Sequence, residues 1–127
     1  MTSPYESRFW TQVYNWKTPT TMRYPKIPAY YILRDATVFQ PDKTATDFYG
    51  AKITWDQLYH KVTRMANVLV EKGLKKGDRV GICLPNCPQF VIAFWAVLMA
   101  GGVVVNLNPI YTAEELEFTF KDAGLTG

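Results

Sequence analysis

The clearest pattern of apolar and polar positions lies in the middle of the chain. Leu58, Val62, Met65 and Leu69 recur at helical spacing, while His60, Lys61 and Arg64 fall on the other side. This predicts an amphipathic helix with one buried stripe. Thr54 with Gln57 three residues on forms a capping box at its start, and Gly73 supplies a left-handed terminus from which Leu74 can fold back on the stripe. Residues 90–100 are apolar on every face, which predicts a helix covered all round. Asn86 as cap, Gln89 as its box partner and Pro88 in the first turn predict where that helix begins, and Gly101-Gly102 where it stops. A third capped segment starts at Thr112, with Glu115 as its partner, and ends at Gly124.

Between these helices lie short apolar runs. Residues 79–84, stopped by Pro85, and the run Val103-Val104-Val105 read as buried strands. Upstream, residues 44–48 and 51–53 read as a hairpin turning at Tyr49-Gly50. A further helix is predicted to start at Pro28, run through Tyr31, Leu33, Arg34 and Ala36, and end before Pro41. Helices alternating with apolar strands predict an α/β fold, an incomplete open parallel sheet with flanking helices joined by right-handed crossovers. Such a pattern calls for another strand after the third capped helix, so the chain is expected to be part of a larger unit. The expected organisation is an irregular aromatic-rich arm over residues 1–27, in which Tyr5, Phe9, Trp10, Tyr14, Trp16 and Tyr24 alternate with Pro4, Pro19 and Pro25, and a partial α/β subdomain over residues 28–127.

Composition narrows the function classes. The chain has 127 residues, 48% hydrophobic and 20% charged, with a formal net charge of +3 spread along its length, which does not support a nucleic-acid partner. Cys83 and Cys87 are neither a C-x-x-C pair nor half of a zinc site, and their apolar setting predicts buried free thiols in a reducing, cytoplasmic compartment. The N-terminus lacks the basic and apolar regions of a secretory signal. The apolar run 90–105 is shorter than a membrane span and is broken by glycines. Peripheral contact of the N-terminal aromatics with a membrane is one reading of the arm, and packing on a neighbouring body or second subunit is favoured over it because no basic amphipathic helix accompanies the rings.

Several residues invite a chemical reading. Lys75-Lys76-Gly77-Asp78-Arg79 could hold a phosphate, but the turn leads into a strand rather than a helix N-terminus, so a solvated turn is the better reading. His60 lies on the polar side of its helix without a ligand cluster. Glu114, Glu115 and Glu117 fall in the first turns of a helix, where carboxylates suit the cap and the dipole. Phe94, Trp95 and Met99 read as core, with the lining of an acyl pocket as the alternative. No catalytic, cofactor-binding or metal-ligating residue is assigned. No G-x-G-x-x-G follows a strand, so a Rossmann unit ranks last, behind a standalone non-enzymatic α/β binding or assembly domain.

Five segments taken together resemble a known family. They are Thr54-Trp55-Asp56-Gln57-Leu58; Gly73-Leu74-Lys75-Lys76-Gly77-Asp78-Arg79-Val80; Leu84-Pro85-Asn86-Cys87-Pro88-Gln89-Phe90; Ala100-Gly101-Gly102-Val103-Val104-Val105-Asn106; and Asn108-Pro109-Ile110-Tyr111-Thr112-Ala113-Glu114-Glu115-Leu116. In order and spacing they are similar to the N-terminal region of adenylate-forming enzymes, the acyl-CoA synthetase superfamily. Trp16 and Tyr24-Pro25-Lys26-Ile27-Pro28-Ala29-Tyr30 resemble the lead-in of the long-chain fatty acyl branch, favoured over luciferase, coumarate, acetate and peptide-synthetase relatives. The resemblance implies ATP-dependent adenylation of a fatty acid, then transfer to coenzyme A, with magnesium screening the phosphates. It also implies a Ser/Thr/Gly-rich phosphate loop ending in Pro-Lys-Gly, and this chain has no serine after Ser7 and no such run. The expectation is therefore an N-terminal fragment, inactive alone, that self-associates through exposed apolar surface, its ATP, CoA and magnesium belonging to the parent enzyme.

Overall fold

The computed structural model describes residues 8–125, so Pro4 and Tyr5 of the arm lie outside the described residues. The described residues open with a 3-10 helix over Phe9–Val13, followed by a turn at Trp16 and then irregular backbone, with the rings of Trp16 and Tyr24 exposed. Helix α1 spans Tyr31–Phe39. Pro28 is not its first residue as the sequence suggested. It sits ahead of the helix in a turn where its carbonyl accepts from Tyr31 N–H at 3.1 Å. Proline can supply this accepting carbonyl, and its missing N–H costs nothing in either place.

Strands β1 (Thr44–Phe48) and β2 (Ala51–Thr54) form the antiparallel hairpin, with a register shift between Thr44 and Thr46. Tyr49 and Gly50 both take positive φ, the conformation a tight two-residue hairpin turn demands, and Asp47 Oδ1 accepts from Gly50 N–H at 3.1 Å. Helix α2 (Trp55–Glu71) follows at once, with both hydrogen bonds of the Thr54–Gln57 box present. At its far end Leu74 N–H donates to Leu69 O and Gly73 N–H to Val70 O, which closes the last turn.

Strand β3 (Arg79–Ile82) pairs in parallel with β4 (Val103–Asn106), from Arg79 opposite Val103 to Ile82 opposite Asn106. The sheet ends at Ile82, so Cys83 and Leu84 leave it. Cys83 is exposed and Cys87 half-buried, which corrects the expectation of buried thiols. Helix α3 (Pro88–Met99) connects the two strands. Its cap is Cys87, not Asn86, and it has no side-chain cap bond, so Gln89 completes no box. The reason is Pro88 at the first helical position, which forces the preceding residue into extended backbone (Cys87 φ −143°, ψ 164°) and thereby sets the cap. Helix α4 (Ala113–Ala123) keeps the predicted Thr112–Glu115 box and ends in left-handed Gly124.

The core has two parts that meet at α3. Leu33, Leu58, Val62, Ala66 and Ala96 join α1, α2 and one side of α3. Ile82, Ala93 and Val97 join the other side of α3 to the parallel strands. Met65 and Leu69 touch both parts. The small Ala93 and Ala96 let the elements on both sides approach α3 closely. Only Ala93, Ala96 and Val97 of that helix are fully buried, and its large side chains keep part of their surface. The covering is therefore incomplete: among the described residues the parallel sheet is two strands wide, with Leu107 and Leu125 beside Gly81 of β3. Val103 accordingly stays 46% exposed where a buried strand was expected.

Candidate functional site

Several of the chemically suggestive residues are engaged locally. In the 75–78 turn, Lys75 N–H donates to Asp78 Oδ2 at 2.8 Å, Asp78 N–H to Lys75 O at 3.1 Å, and Gly77 N–H to Gly101 O at 2.9 Å. The N–H groups of Lys75, Gly77 and Asp78 are thus engaged in the fold, and Asp78 O accepts from Val103 N–H at 2.8 Å to join the turn to β4. His60 is exposed, its Nε2 3.6 Å from Asp56 Oδ1 one turn earlier on α2. Glu115 Oε2 accepts from Thr112 N–H at 2.8 Å, and Glu117 pairs with Lys121 along the same helix. These carboxylates serve the helix that carries them.

Phe94, Trp95 and Met99 are divided between the two halves of the core. Phe94 meets Trp95 edge-on at 5.5 Å between ring centroids and stacks on Phe90 at 6.2 Å. Phe94 packs on the Ile82–Ala93–Val97 part, while Trp95 and Met99 pack on the α1–α2 part. Met99 Sδ lies 3.8 Å from the Thr63 hydroxyl.

A concavity the sequence did not signal lies between the hairpin and the start of α3. Thr46, Asp47 and Phe48 face Asn86, Cys87, Pro88, Phe90 and Val91 across an open cavity of about 380 Å³. The Thr46 hydroxyl is buried without a hydrogen-bond partner. These residues stand some forty positions apart in sequence, so only the packing of the hairpin beside α3 assembles them. A second open groove, of about 440 Å³, runs along α4 between Tyr111 and Phe118, with Glu114, Glu115 and Thr119.

Ionisation is shifted on α1 and its cap. The Tyr30 phenol is raised, first by burial and then by its hydrogen bond to Tyr31, and the Arg34 guanidinium is raised first by its hydrogen bond to Asp35. Neither group lines the two concavities. Among the described residues no three His, Cys, Asp or Glu side chains gather as metal ligands. No helix among the described residues is long and apolar enough to cross a membrane.

The fold and this distribution of groups define the class: an α/β scaffold like the N-terminal subdomains of adenylate-forming enzymes. The N-terminal subdomain of Klebsiella oxytoca NpsA superposes with a TM-score of 0.75 at 28% identity, over 77% of this chain and 26% of that one. A fatty acyl CoA synthetase of Mycobacterium tuberculosis superposes with a TM-score of 0.72 at 30% identity, over 76% of this chain and 20% of that one. The sequence agrees, since residues 33–127 match the model of the AMP-binding enzyme family, and the chain belongs to that family. The long-chain-fatty-acid–CoA ligase of Bacillus subtilis is 44% identical over 114 residues, which is 90% of this chain. This chain spans only 20% of that relative's length.

Proposed function

We propose that this chain is the N-terminal scaffold of a long-chain fatty acid–CoA ligase and has no activity alone. The supporting observation is the family match over residues 33–127, coupled with 44% identity to a ligase of that specificity. In the whole enzyme, a fatty carboxylate attacks the α-phosphorus of ATP, forming acyl-adenylate and releasing pyrophosphate. The CoA thiol then attacks the acyl carbon, forming the thioester and releasing AMP and the thiol proton. ATP, CoA and magnesium are held by parts of the enzyme that the described residues do not provide.

Phe94, Trp95 and Met99 serve as core, because they are shared between two packing clusters and line neither concavity. Residues 1–27 act as an arm whose rings, such as Trp16 at 87% exposure, cover a neighbouring body, and residues 28–127 act as the subdomain. The enzyme is cytoplasmic, and the isolated chain self-associates through exposed apolar surface, to be checked by sedimentation velocity at rising concentration. ATP–pyrophosphate exchange with fatty acids tests the central reading. No exchange is expected from this chain, and carboxylate-dependent exchange would overturn its assignment as inert scaffold.

A further inference from the structure

Two further concavities run along α2, and together they follow one face of that helix. The first, of about 490 Å³, is lined by Lys52 and Ile53 of β2 and by Gln57, His60, Lys61 and Arg64 of α2. The second, of about 360 Å³, is lined by Lys61, Arg64, Met65 and Val68. The α2 positions in these linings step along the chain by three and one in alternation, the spacing of a single helical stripe. Lys61 and Arg64 line both concavities, so the two meet at that pair. Neither lining contains a carboxylate, whereas the concavity at the start of α3 includes Asp47 and the groove on α4 includes Glu114 and Glu115. Two carboxylates stand near the first concavity and are already engaged. Asp47 Oδ2 lies 3.9 Å from Lys52 Nζ, and Asp56 Oδ1 lies 3.6 Å from His60 Nε2. Among the described residues Lys61 and Arg64 have no ion-pair partner. The backbone that carries them is held in place, because Leu58, Val62 and Ala66 of the same helix are buried in the core.

We propose that this face of α2 binds an anionic amphiphile, a phosphate monoester that carries an alkyl chain. The phosphate sits at Lys61 and Arg64, with Lys52 in the same concavity, and the chain runs over Met65 and Val68. A guanidinium presents paired donors that match two phosphate oxygens, and an ammonium adds a compact charge beside it. A dianionic head gains more from two uncompensated cations than a singly charged carboxylate does. The apolar end has surface left to cover, since Val68 is 50% exposed and Met65 half-buried. The first concavity falls within the range of small-molecule sites, roughly 300–1,000 Å³. Neither lining holds Phe, Tyr or Trp, so no such ring is there for a base to stack on, and a nucleotide or nucleic acid fits less well. The site needs only α2 and β2, so it stands whether or not the parent enzyme acts on fatty acids.

The test titrates the isotope-labelled 127-residue chain with hexyl phosphate, inorganic phosphate and hexanol at constant ionic strength, read by amide chemical shifts. Hexyl phosphate is expected to shift amides over residues 57–68 and hexanol to shift none. Hexyl phosphate should also bind about tenfold more tightly than inorganic phosphate, the effect of covering two methylenes. Lys61→Gln and Arg64→Gln are each expected to weaken hexyl phosphate binding by about tenfold, with circular dichroism unchanged because both side chains are exposed. Val68→Ser should bring the two phosphates to equal affinity. Shifts centred on the turn at 75–78, or no binding by the folded chain, overturn the site without recourse to any variant. Affinity indifferent to Lys61→Gln and Arg64→Gln overturns the position of the head group. Equal affinity of the two phosphates for the unchanged chain overturns the amphiphile. Flotation with phosphatidylcholine vesicles, with and without phosphatidate, separates the two sources of such a ligand. Flotation that needs phosphatidate and is lost in Arg64→Gln supports the site with a bilayer lipid in it, and hexyl phosphate binding without flotation supports it with a free one.

Discussion

Helices α2 and α4 are built from the same local signals and end in different places. Each begins with a threonine cap whose hydroxyl accepts from the third helical residue, while that residue's side chain accepts from the cap's N–H. Each ends with the same pair of backbone bonds across a positive-φ glycine, Leu74 to Leu69 in one and Leu125 to Phe120 in the other. Yet α2 buries Leu58, Val62 and Ala66, whereas α4 buries nothing. Local signals therefore settle where a helix starts and stops, and packing settles what it contributes. Most helical stability in proteins comes from the second of these.

Truncating the two apolar faces should separate the helices most. Leu58→Ala, at a position only 1% exposed, should cost about 2.7–5 kcal/mol in urea unfolding. Phe118→Ala should change global stability by less than about 0.5 kcal/mol. Equal losses would mean that α4 is packed in solution and would remove the contrast.

The sheet end of α3 gives the next largest effect. A Cβ on Gly102 would stand 2.9 Å from Val97 Cγ1 and 3.3 Å from two backbone carbonyl oxygens, none of which can swing away. Gly102→Ala should cost roughly 1–3 kcal/mol. A Cβ on Gly81 would meet the ends of Leu107 and Leu125 at 2.9 and 3.0 Å. Those side chains can rotate, so Gly81→Ala should cost less and show as faster hydrogen exchange in α4, whose tether it disturbs.

Removing the caps sharpens the comparison further. Thr54→Ala and Thr112→Ala each delete one cap bond, worth about 1 kcal/mol to the helix concerned. The first should lower the global midpoint, since α2 carries the core. The second should leave that midpoint nearly unchanged and accelerate amide exchange in the first turn of α4. A matching global loss from Thr112→Ala would show that α4 folds with the rest as one cooperative unit. Outside both helices, Thr46→Val removes a buried hydroxyl with no partner and should raise stability by about 1 kcal/mol.

How far the sequence could be read follows the range of each interaction. The hairpin at Tyr49-Gly50, the Thr54 and Thr112 boxes and the end of α2 at Gly73 were legible because each rests on contacts within about five residues. The start of α3 was misread one residue early because Pro88 acts on the residue before it, and that outweighed the better capping chemistry of Asn86. Cys83 was misplaced for a longer-range reason. Its burial depended on whether β4 would pair beyond Ile82, and β4 stops opposite it. The concavity between Thr46 and Cys87 was not legible, since nothing local connects the hairpin to the start of α3.

By itself the sequence determined the order of the elements, the Thr54 and Thr112 caps, the hairpin turn and membership of the family. Only the tertiary structure decided that α3 would be the hinge of two small cores, that the turn at Lys75 would engage its N–H groups in holding β4, and that α4 would stay bare. The physical reason is the reach of the forces. Hydrogen bonds within a turn and backbone sterics are written into neighbouring residues. Burial depends on which distant surfaces are there to meet, and among the described residues none buries a side chain of α4.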